Sequence, residues 1–592
     1  MTNNHYKRVL LVGVCALSLL SLSSGALTDW QDELDQFVLD VMQCRNVPGL
    51  SLSVVQDDQI LLTKGYGDQE RNPTVEAHAD TVFPIGSLTK SFTSALIADI
   101  LSEQSNVTWD TPIRSILGES FSLYGCDRTE EVSLRDLLSH QTGLLDDETL
   151  TIMGLDIEKS DFIKRIRFLK EKYGFRSRFL YSNLMYTLAG LVAESLTKYS
   201  EQSWQELVDK RLLRPLGMTS TKMISTIENL RTVPELAAGY RATSTGEVFP
   251  ISLDTLTITD IVAPAGSILS TANDMAQWLL FQLSGRSRSN QQLVDEDYLR
   301  ETQTAQVSMQ EQGVHRNIYP VDDSKTDYAM GWTVGTYRGV KRLSHPGNIA
   351  CYNSDMWIFP TENYGIFIAM NGPMNDVEAT RAISSIGWFI SDKMTGTEPW
   401  QDSESACNFW STLATPQPDL PVAVPSPIAW SEIELNEYTG TYGNNMYGYL
   451  EIDKAEDEDG IEHLRYSYGT FGTGRLYRTA TLHTFKATLN GDLWYYSDSM
   501  HFNKQEPEGV YMKFTNSNQN KMGTLTFPLL VSKGNTIQGP EFKRGLTVAN
   551  PRTSPYDNLQ CSKTTSGTES IYKPAEQLIF AIMLFVLSYV SV

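Results

Sequence analysis

The chain has 592 residues, a hydrophobic content of 41% and a formal net charge of −23 at pH 7. This length accommodates about two to four domains, and the hydrophobic content is typical of folded rather than disordered chains. The negative charge excludes nucleic acid as a partner, because phosphate binding needs a basic face.

The N-terminal segment has the layout of a secretory signal peptide. Lys7 and Arg8 precede an apolar run at residues 9–22, and small residues follow it. The run is shorter than the ~20 apolar residues of a membrane helix. We therefore expect residues 1–26 to be removed and the mature protein to be secreted.

Two further features fit an extracellular protein. Five cysteines remain after residue 26, and an odd number in an oxidising compartment implies at least one free or intermolecular thiol. Asn106-Val107-Thr108 is a sequon, so we expect Asn106 to be glycosylated.

The next part of the chain predicts an α/β (α+β) domain over residues 27–398. DELDQFVLDVMQCRNVPG has helical spacing, and LSLSVVQDDQILLTKGYG predicts a β-hairpin. A buried helix and a long, mostly helical insert follow, and short apolar strands return between residues 325 and 371 before the helix DVEATRAISSIGWFISDKM. Strands at both ends indicate one sheet that is completed late in the chain, with an inserted helical subdomain.

The composition changes after this domain. Residues 399–430 are rich in proline and predict an extended linker. Residues 431–546 contain six or more short strands and predict a small barrel or sandwich. A polar spacer at 547–577 and an apolar tail at 578–592 complete the chain.

The tail has three interpretations. Small residues at 566–568, a polar spacer and a terminal apolar run resemble the signal for a GPI anchor. A short membrane anchor and a buried terminal element are the alternatives, and the 15-residue run is short for a span. We expect membrane attachment through the C-terminus, with the GPI interpretation favoured.

The motif SxxK, in which a serine precedes a lysine by three residues, occurs three times. SLTK stands at residues 87–90 and again at 195–198, and a third match lies at 570–573. A chain of this size contains about two or three matches by chance, so the motif alone is uninformative.

Sequence context separates the copies. Ser87 follows a Pro/Gly break and opens a buried helix, where its N–H is one of the unpaired donors of a helix N-terminus. Lys90 lies one turn further on the same face, where burial is expected to lower its pKa toward that of a base. Ser195 ends an amphipathic helix, and Ser570 belongs to the spacer, so neither is expected to react.

Two further elements follow Ser87 in the chain. Tyr181-Ser182-Asn183 lies at a loop-to-helix junction, and His345-Pro346-Gly347 ends a strand-like run. Each is weak alone, but a nucleophile needs such partners, and the order adds specificity.

These stretches resemble the serine β-lactamase and penicillin-binding-protein superfamily. The resemblance covers residues 30–395 through PGLSLSVV, TVFPIGSLTKSFT, SLRDLLSHQTGL, FLYSNLMYTLAG, PAGSILSTANDMAQWL and LSHPGN, in the family's order. It is strongest with the class C-related branch of esterases, D-aminopeptidases and animal β-lactamase-like proteins. Residues 435–544 resemble the lipocalin-like β-barrel found in some members.

The resemblance implies a role for each motif residue. Ser87 would form an acyl-enzyme with an ester or amide carbonyl, and Lys90 with Tyr181 would take its proton. Asn183 would hold Lys90 and bind the substrate amide. The backbone N–H groups of Ser87 and Asn348 would form the oxyanion hole.

The third motif departs from the family pattern. His345 stands where many relatives have lysine, and it could hydrogen-bond to Tyr181 or supply a positive charge if protonated. Pro346 has no hydroxyl. Since relatives use this element to bind a carboxylate, we expect poor β-lactam hydrolysis and a small-molecule or peptide ester or amide as substrate.

Two further expectations complete the sequence reading. His140, in LLSHQTGL, is expected to be structural, and the absence of CxxC, HExxH and GxGxxG motifs leads us to expect no metal and no cofactor. The alternative to a secreted hydrolase is a non-catalytic, acidic extracellular-matrix protein, of the shell or biomineral type, on the same scaffold.

Overall fold

The computed structural model describes sixteen ranges of the chain. They are residues 30–146, 153–154, 157–197, 202–224, 227–242, 247–259, 262–309, 314–318, 321–373, 376–413, 434–479, 481–491, 510–519, 521–532, 535–537 and 539–548.

The helices are numbered here in chain order. They are α1 (Gln31–Arg45), α2 (Thr89–Ser102), α3 (Arg114–Leu117), α4 (Cys126–Glu131), α5 (Leu134–Leu138), α6 (Lys159–Arg165), α7 (Asn183–Leu196), α8 (Trp204–Val208), α9 (Arg214–Leu216), α10 (Ile227–Leu230), α11 (Ala263–Gly266), α12 (Ala272–Ser284), α13 (Glu296–Thr302), α14 (Asp376–Met394) and α15 (Ser403–Leu413).

The strands fall before, within and after the helical insert. They are β1 (Gly49–Gln56), β2 (Gln59–Arg71), β3 (Thr74–Glu76), β4 (Phe83–Pro84), β5 (Lys222–Met223), β6 (Tyr240–Ala242), β7 (Val248–Pro250), β8 (Ile268–Ser270), β9 (Val307–Ser308), β10 (Val314–Ile318), β11 (Val321–Tyr328), β12 (Thr333–Tyr337), β13 (Val340–Ile349), β14 (Tyr352–Phe359), β15 (Tyr364–Met370), β16 (Gly440–Asn444), β17 (Gly448–Glu456), β18 (Glu462–Tyr468), β19 (Gly472–Arg478), β20 (Thr484–Ala487), β21 (Val510–Asn518), β22 (Lys521–Ser532), β23 (Asn535–Ile537) and β24 (Glu541–Arg544).

The main sheet is completed late in the chain, as the sequence predicts. Its order is β10-β11-β12-β13-β14-β15-β1-β2-β3, with antiparallel neighbours, and β9 pairs with β11. β15 closes onto the first hairpin in the register Leu50↔Met370 and Val54↔Ile366. This pairing confirms the antiparallel sheet with an inserted helical part.

Side chains alternate between the two faces of this sheet, so each face carries apolar residues that must be covered. Helices cover both faces. On one face α1 packs against α14, and the rings of Phe37 and Phe389 stack with centroids 4.4 Å apart. On the other face α2 packs against α12, and Phe92 stacks on Trp278 at 3.6 Å. The second face carries the helix that follows Ser87.

The C-terminal strands form a closed eight-stranded barrel. The ring runs β16-β17-β18-β19-β20-β21-β22-β24, and it closes where β24 pairs with β16. Buried aromatic side chains, including Tyr442, Tyr466 and Phe514, fill its interior. The structure thus selects the barrel over the sandwich.

The prediction of an extended linker over residues 399–430 is wrong for part of that range. The predicted extended linker at 399–430 begins with the helix α15, and only its continuation at 414–430 lies outside the described residues. The prolines of this region flank α15 rather than interrupt it, and Asp402 accepts a hydrogen bond from the Ser405 N–H at the helix start. Cys407 on α15 is disulfide-bonded to Cys44 on α1.

The cysteine prediction agrees with the structure in one respect. Cys351 is a free, buried thiol, as an odd number of cysteines requires. Asn106 is exposed in the loop after α2, where a sequon is accessible, and its glycosylation stays a prediction.

The two terminal segments lie outside the described residues, so the expected signal peptide at 1–26 and the apolar tail at 578–592 have no structural account. Within the ranges that are described, no helix has both the length and the apolar character needed to cross a bilayer.

Candidate active site

Ser87 lies in a short 3-10 turn, Gly86–Leu88, that leads directly into α2. Gly86 has a φ of +51°, and a Cβ at this position would lie 2.9 Å from the backbone nitrogen of Asn348. A side chain would therefore be both strained and in collision with β13. Glycine allows the serine turn and this strand to meet.

Lys90 has a side chain that is fully buried and makes three short polar contacts. Its Nζ lies 3.0 Å from Ser87 Oγ, 2.6 Å from Asn183 Oδ1 and 2.9 Å from the carbonyl oxygen of Ala265. The carbonyl and the amide oxygen only accept hydrogen bonds. As an ammonium, Nζ can donate to all three oxygens. After losing one proton it can keep the bonds to Asn183 and Ala265 and direct its lone pair at the Ser87 hydroxyl, which is the geometry that a general base requires.

Tyr181 approaches the same hydroxyl from a different element. Its OH lies 2.8 Å from Ser87 Oγ, and Lys90 Nζ lies 4.8 Å from the centre of its ring. Ser182 caps α7 by accepting a hydrogen bond from the Met185 N–H. The cap places Tyr181 just before the helix and Asn183 at its first position.

His345 lies on β13 and is 2% exposed. Its Nε2 is 2.9 Å from the hydroxyl of Tyr328 on β11, and its Nδ1 is 2.7 Å from the carbonyl oxygen of Pro346. Nδ1–H therefore donates to the carbonyl, and Nε2 accepts from the tyrosine. Burial, with the nearby charge of Lys90, lowers the pKa of His345 to about 3.

This environment corrects two expectations about His345. The expected hydrogen bond to Tyr181 is replaced by others, because Nε2 is bonded to Tyr328 and Nδ1 to the Pro346 carbonyl. Burial, which lowers the pKa of His345 to about 3, also disfavours a protonated ring as a substitute for the missing cation.

Asn348 lies three residues beyond His345, with its backbone beside Gly86. Its side-chain Nδ2 donates to Asn353 Oδ1 at 3.0 Å. The structure thus brings the backbone of Asn348 next to the turn that carries Ser87, as an oxyanion hole built from these two residues requires.

His140 lies behind Tyr181, and its contacts agree with the structural role that the sequence predicts. It is fully buried, and its Nδ1 accepts a hydrogen bond from the Ser182 N–H at 3.0 Å. Its ring centroid is 4.4 Å from that of Tyr181. Burial holds the pKa of His140 well below its usual value.

Ser195 is far less suited to chemistry. It is exposed near the end of α7, and its Oγ donates to the carbonyl of Leu191 within the same helix at 2.9 Å. Lys198 and the match at 570–573 lie outside the described residues.

Three groups at the site were not assigned by sequence reasoning. The Ala265 carbonyl is a backbone atom, so its residue type gives no signal. Tyr328 begins the predicted strand run YAMGWTVGTY, but the structure places it at the end of β11, and no role was assigned to it. Asp146 stands two residues after the end of LLSHQTGL and contacts the first turn of α7. Within the described residues, no group of three or more His, Cys, Asp or Glu side chains is arranged to hold a metal ion.

Comparison with known proteins agrees with this fold. The model of the Beta-lactamase family matches residues 34–386, so the chain belongs to this family of serine hydrolases. A curated relative, Unguisins hydrolase ungD' of Aspergillus campestris, is 27% identical over 72% of this chain and 78% of its own length. Protein flp of Staphylococcus aureus is 24% identical over 58% of this chain and 63% of its own.

A solved structure shows the same fold. The octameric penicillin-binding protein homologue from Pyrococcus abyssi aligns with a TM-score of 0.50 at 21% identity, over 84% of this chain and 98% of that one.

Proposed function

We propose that the protein is a serine hydrolase that cleaves an ester or amide through an acyl-enzyme on Ser87. The observation that carries the proposal is the position of the Ser87 hydroxyl between two groups, Lys90 Nζ at 3.0 Å and Tyr181 OH at 2.8 Å. Family membership and relatives named as Unguisins hydrolases support the same reaction class.

In the first step Lys90 takes the Ser87 proton while Oγ attacks the substrate carbonyl carbon. The oxygen of the tetrahedral intermediate accepts hydrogen bonds from the N–H groups of Ser87 and Asn348. Tyr181 passes the proton to the leaving alcohol or amine as the carbonyl re-forms. Water then attacks the ester carbon and gives a proton to the same groups; the bond from the acyl carbon to Oγ breaks, the carboxylic acid leaves, and that proton returns to Ser87 Oγ.

The substrate class follows from His345. A neutral ring at this place offers no fixed cation, and Pro346 has no hydroxyl. A carboxylate on the acyl side would then be buried without a partner, which is costly. We therefore infer that the substrate is a small-molecule or peptide ester or amide whose acyl part is uncharged at this position, and that β-lactams are poor substrates.

The protein is further proposed to act outside the cell. The basic and apolar N-terminal segment and the Cys44–Cys407 disulfide support secretion, because disulfides persist in oxidising compartments. GPI attachment through the C-terminal tail is part of this proposal. Release of the protein from cells by a phosphatidylinositol-specific phospholipase would support it, and protein that stays on the membrane would contradict it.

The test of the reaction uses a fluorophosphonate probe and a chromogenic short-chain ester on three purified proteins. Wild type and Ser195→Ala are expected to be labelled and to turn over ester, while Ser87→Ala does neither. Labelling of Ser87→Ala at the wild-type rate would refute the mechanism. No reaction by any of the three would favour the non-catalytic matrix protein.

A further inference from the structure

Asp146 lies against the helix end that carries two of the site residues. Its Oδ2 accepts hydrogen bonds from Ser182 Oγ at 3.1 Å and from the Leu184 N–H at 3.0 Å, and the Asn183 N–H adds a third. These are the cap and the first two helical residues of α7. The carboxylate thus accepts hydrogen bonds from N–H groups that have no partner within the helix, and these donors favour a negative charge on Asp146.

Asn183 connects this carboxylate to the reacting serine. Its N–H donates to Asp146, while its Oδ1 accepts from Lys90 Nζ at 2.6 Å, and Nζ lies 3.0 Å from Ser87 Oγ. The order of contacts is therefore Asp146, Asn183, Lys90 and Ser87. A movement of the carboxylate would displace the residue that holds the amine.

We propose that Asp146 is a positioning residue for the reaction: it fixes the Tyr181–Asn183 element against Lys90 and balances the positive charge that Lys90 gains when it takes the Ser87 proton. The inference rests on the proposed function of Ser87.

The charge of Asp146 is consistent with this role. Burial raises the pKa of its carboxyl, and the hydrogen bonds from α7 and then the charge of Lys90 act against that effect. The three donors come from α7 and its cap and favour the ionised form, while Oδ1 is buried with no hydrogen-bond partner among the described residues. The interaction is mutual, so the anion stabilises the Lys90 ammonium.

Other titratable groups near Lys90 do not supply this anion. The pKa values of His140 and His345 are lowered by burial, and an imidazole carries no negative charge in either state. Burial also raises the pKa of Tyr186, whose ring lies 5.4 Å from Nζ. Tyr181 is the remaining neighbour that contacts the reacting serine. The pH dependence of acylation should therefore be measured for Tyr181→Phe as well as for the Asp146 variants.

The test is the pH dependence of acylation in Asp146→Asn, which keeps the shape of the side chain and removes its charge. Loss of the anion destabilises the Lys90 ammonium and so lowers the pKa of Lys90. In a plot of acylation rate against pH, the rising limb should therefore move to lower pH by about one unit. The plateau rate should fall by up to about tenfold. Asp146→Glu restores the charge and is expected to restore most of the limb position. A purely structural cap would lower the rate without moving the limb.

Asp274 provides a matched control. Its carboxylate is also buried, and it accepts hydrogen bonds from the backbone N–H groups of Ser220 and Thr221 instead of from α7. Asp274→Asn should lose comparable thermal stability and keep the wild-type pH limb. An equal shift in both variants, or no shift in Asp146→Asn, would overturn the proposal.

A second readout separates this proposal from the proposed function. NMR of 13Cε-labelled lysine follows the titration of Lys90 without turnover, with Lys90→Arg used to assign the signal. The midpoint should fall in Asp146→Asn and stay in place in Asp274→Asn. If wild type is not acylated by any ester, the proposed function fails. The titration midpoint of Lys90 still tests the role of Asp146 in that case, and an unchanged midpoint in Asp146→Asn would decide against it.

Discussion

The hydroxyl of Tyr328 lies 2.9 Å from Nε2 of His345, at the centre of the site and out of contact with solvent. This hydrogen bond and the one from Nδ1 to the Pro346 carbonyl use both ring nitrogens in the neutral state. The motif His345-Pro346-Gly347 occupies the place that binds carboxylate groups in other members of the superfamily, and in this protein it is therefore uncharged.

Substitution His345→Lys should change the choice of substrate. A cation at this position pairs with a carboxylate on the acyl side, so the ratio of kcat/KM for a carboxylate-bearing ester over its uncharged analogue should rise by about tenfold or more. His345→Gln is the control and should leave the ratio near its wild-type value. The ratio is measured with paired chromogenic esters, and an unchanged ratio in a folded His345→Lys protein would contradict the neutral-site account.

The stability of the protein should depend on pH through His345. The pKa of His345 is about 3 in the folded state, below its ordinary value of 6.5. The unfolded chain therefore binds the extra proton first, so the contribution of this ring is fully present above pH 6.5 and is lost as pH falls toward 3. The expected slope is about 1.4 kcal/mol per pH unit for one group.

Denaturant unfolding of wild type and His345→Gln between pH 4 and pH 8 measures this slope. The variant should show a shallower dependence, and the remainder should include His140, whose pKa is lowered in the same direction. Parallel curves for the two proteins would mean that His345 is not held neutral by its surroundings.

Replacement of the buried amine should remove most of the activity. Lys90→Met preserves length and burial but leaves Ser87 without its base, so the rate of acylation should fall by about 10²–10⁴-fold. The uncompensated hydrogen bonds of Asn183 and Ala265 should also cost stability. Stopped-flow acylation by a chromogenic ester measures the loss, and a rate within threefold of wild type would be incompatible with Lys90 as the base.

Gly86→Ala tests the close contact between the serine turn and β13. A Cβ at Gly86 would meet the backbone of Asn348 at 2.9 Å, so the variant should lose at least about tenfold in acylation through displacement of this oxyanion-hole element. Gly118→Ala is the matched control, since Gly118 also has a positive φ, of +88°, but an added Cβ would meet nothing within 4 Å. Both variants carry a strained φ, whereas only Gly86→Ala should lose activity.

The sequence was sufficient to predict much of the fold, for a physical reason. The first hairpin and β13–β15 are short apolar runs bounded by turns, and α14 has helical spacing, because each element packs one or both faces into a core. The hairpin β10–β11 was not identified. β11 has the partly exposed, polar sequence VDDSKTDY, which shows no clear alternation.

Because this hairpin was not identified, the contact between Tyr328 and His345 in the site could not be predicted. The predicted strand run YAMGWTVGTY begins at Tyr328, whereas in the structure Tyr328 ends β11, so its bond to His345 depends on strand bounds and pairing that the pattern did not reveal. Ser87, Lys90 and Tyr181 were placed correctly relative to one another because each stands at a helix start or one turn beyond it. The contribution of Ala265 is a backbone carbonyl, and residue type carries no information about it.

The most direct test of the central claim is the location of the covalent intermediate. Wild type is quenched in acid during turnover of a slowly deacylated ester, digested and examined by peptide mass spectrometry. The account predicts the added acyl mass on the peptide that contains Ser87, and no adduct in Ser87→Ala. An adduct on the peptide that contains Ser195, or turnover by Ser87→Ala at the wild-type rate, would contradict it.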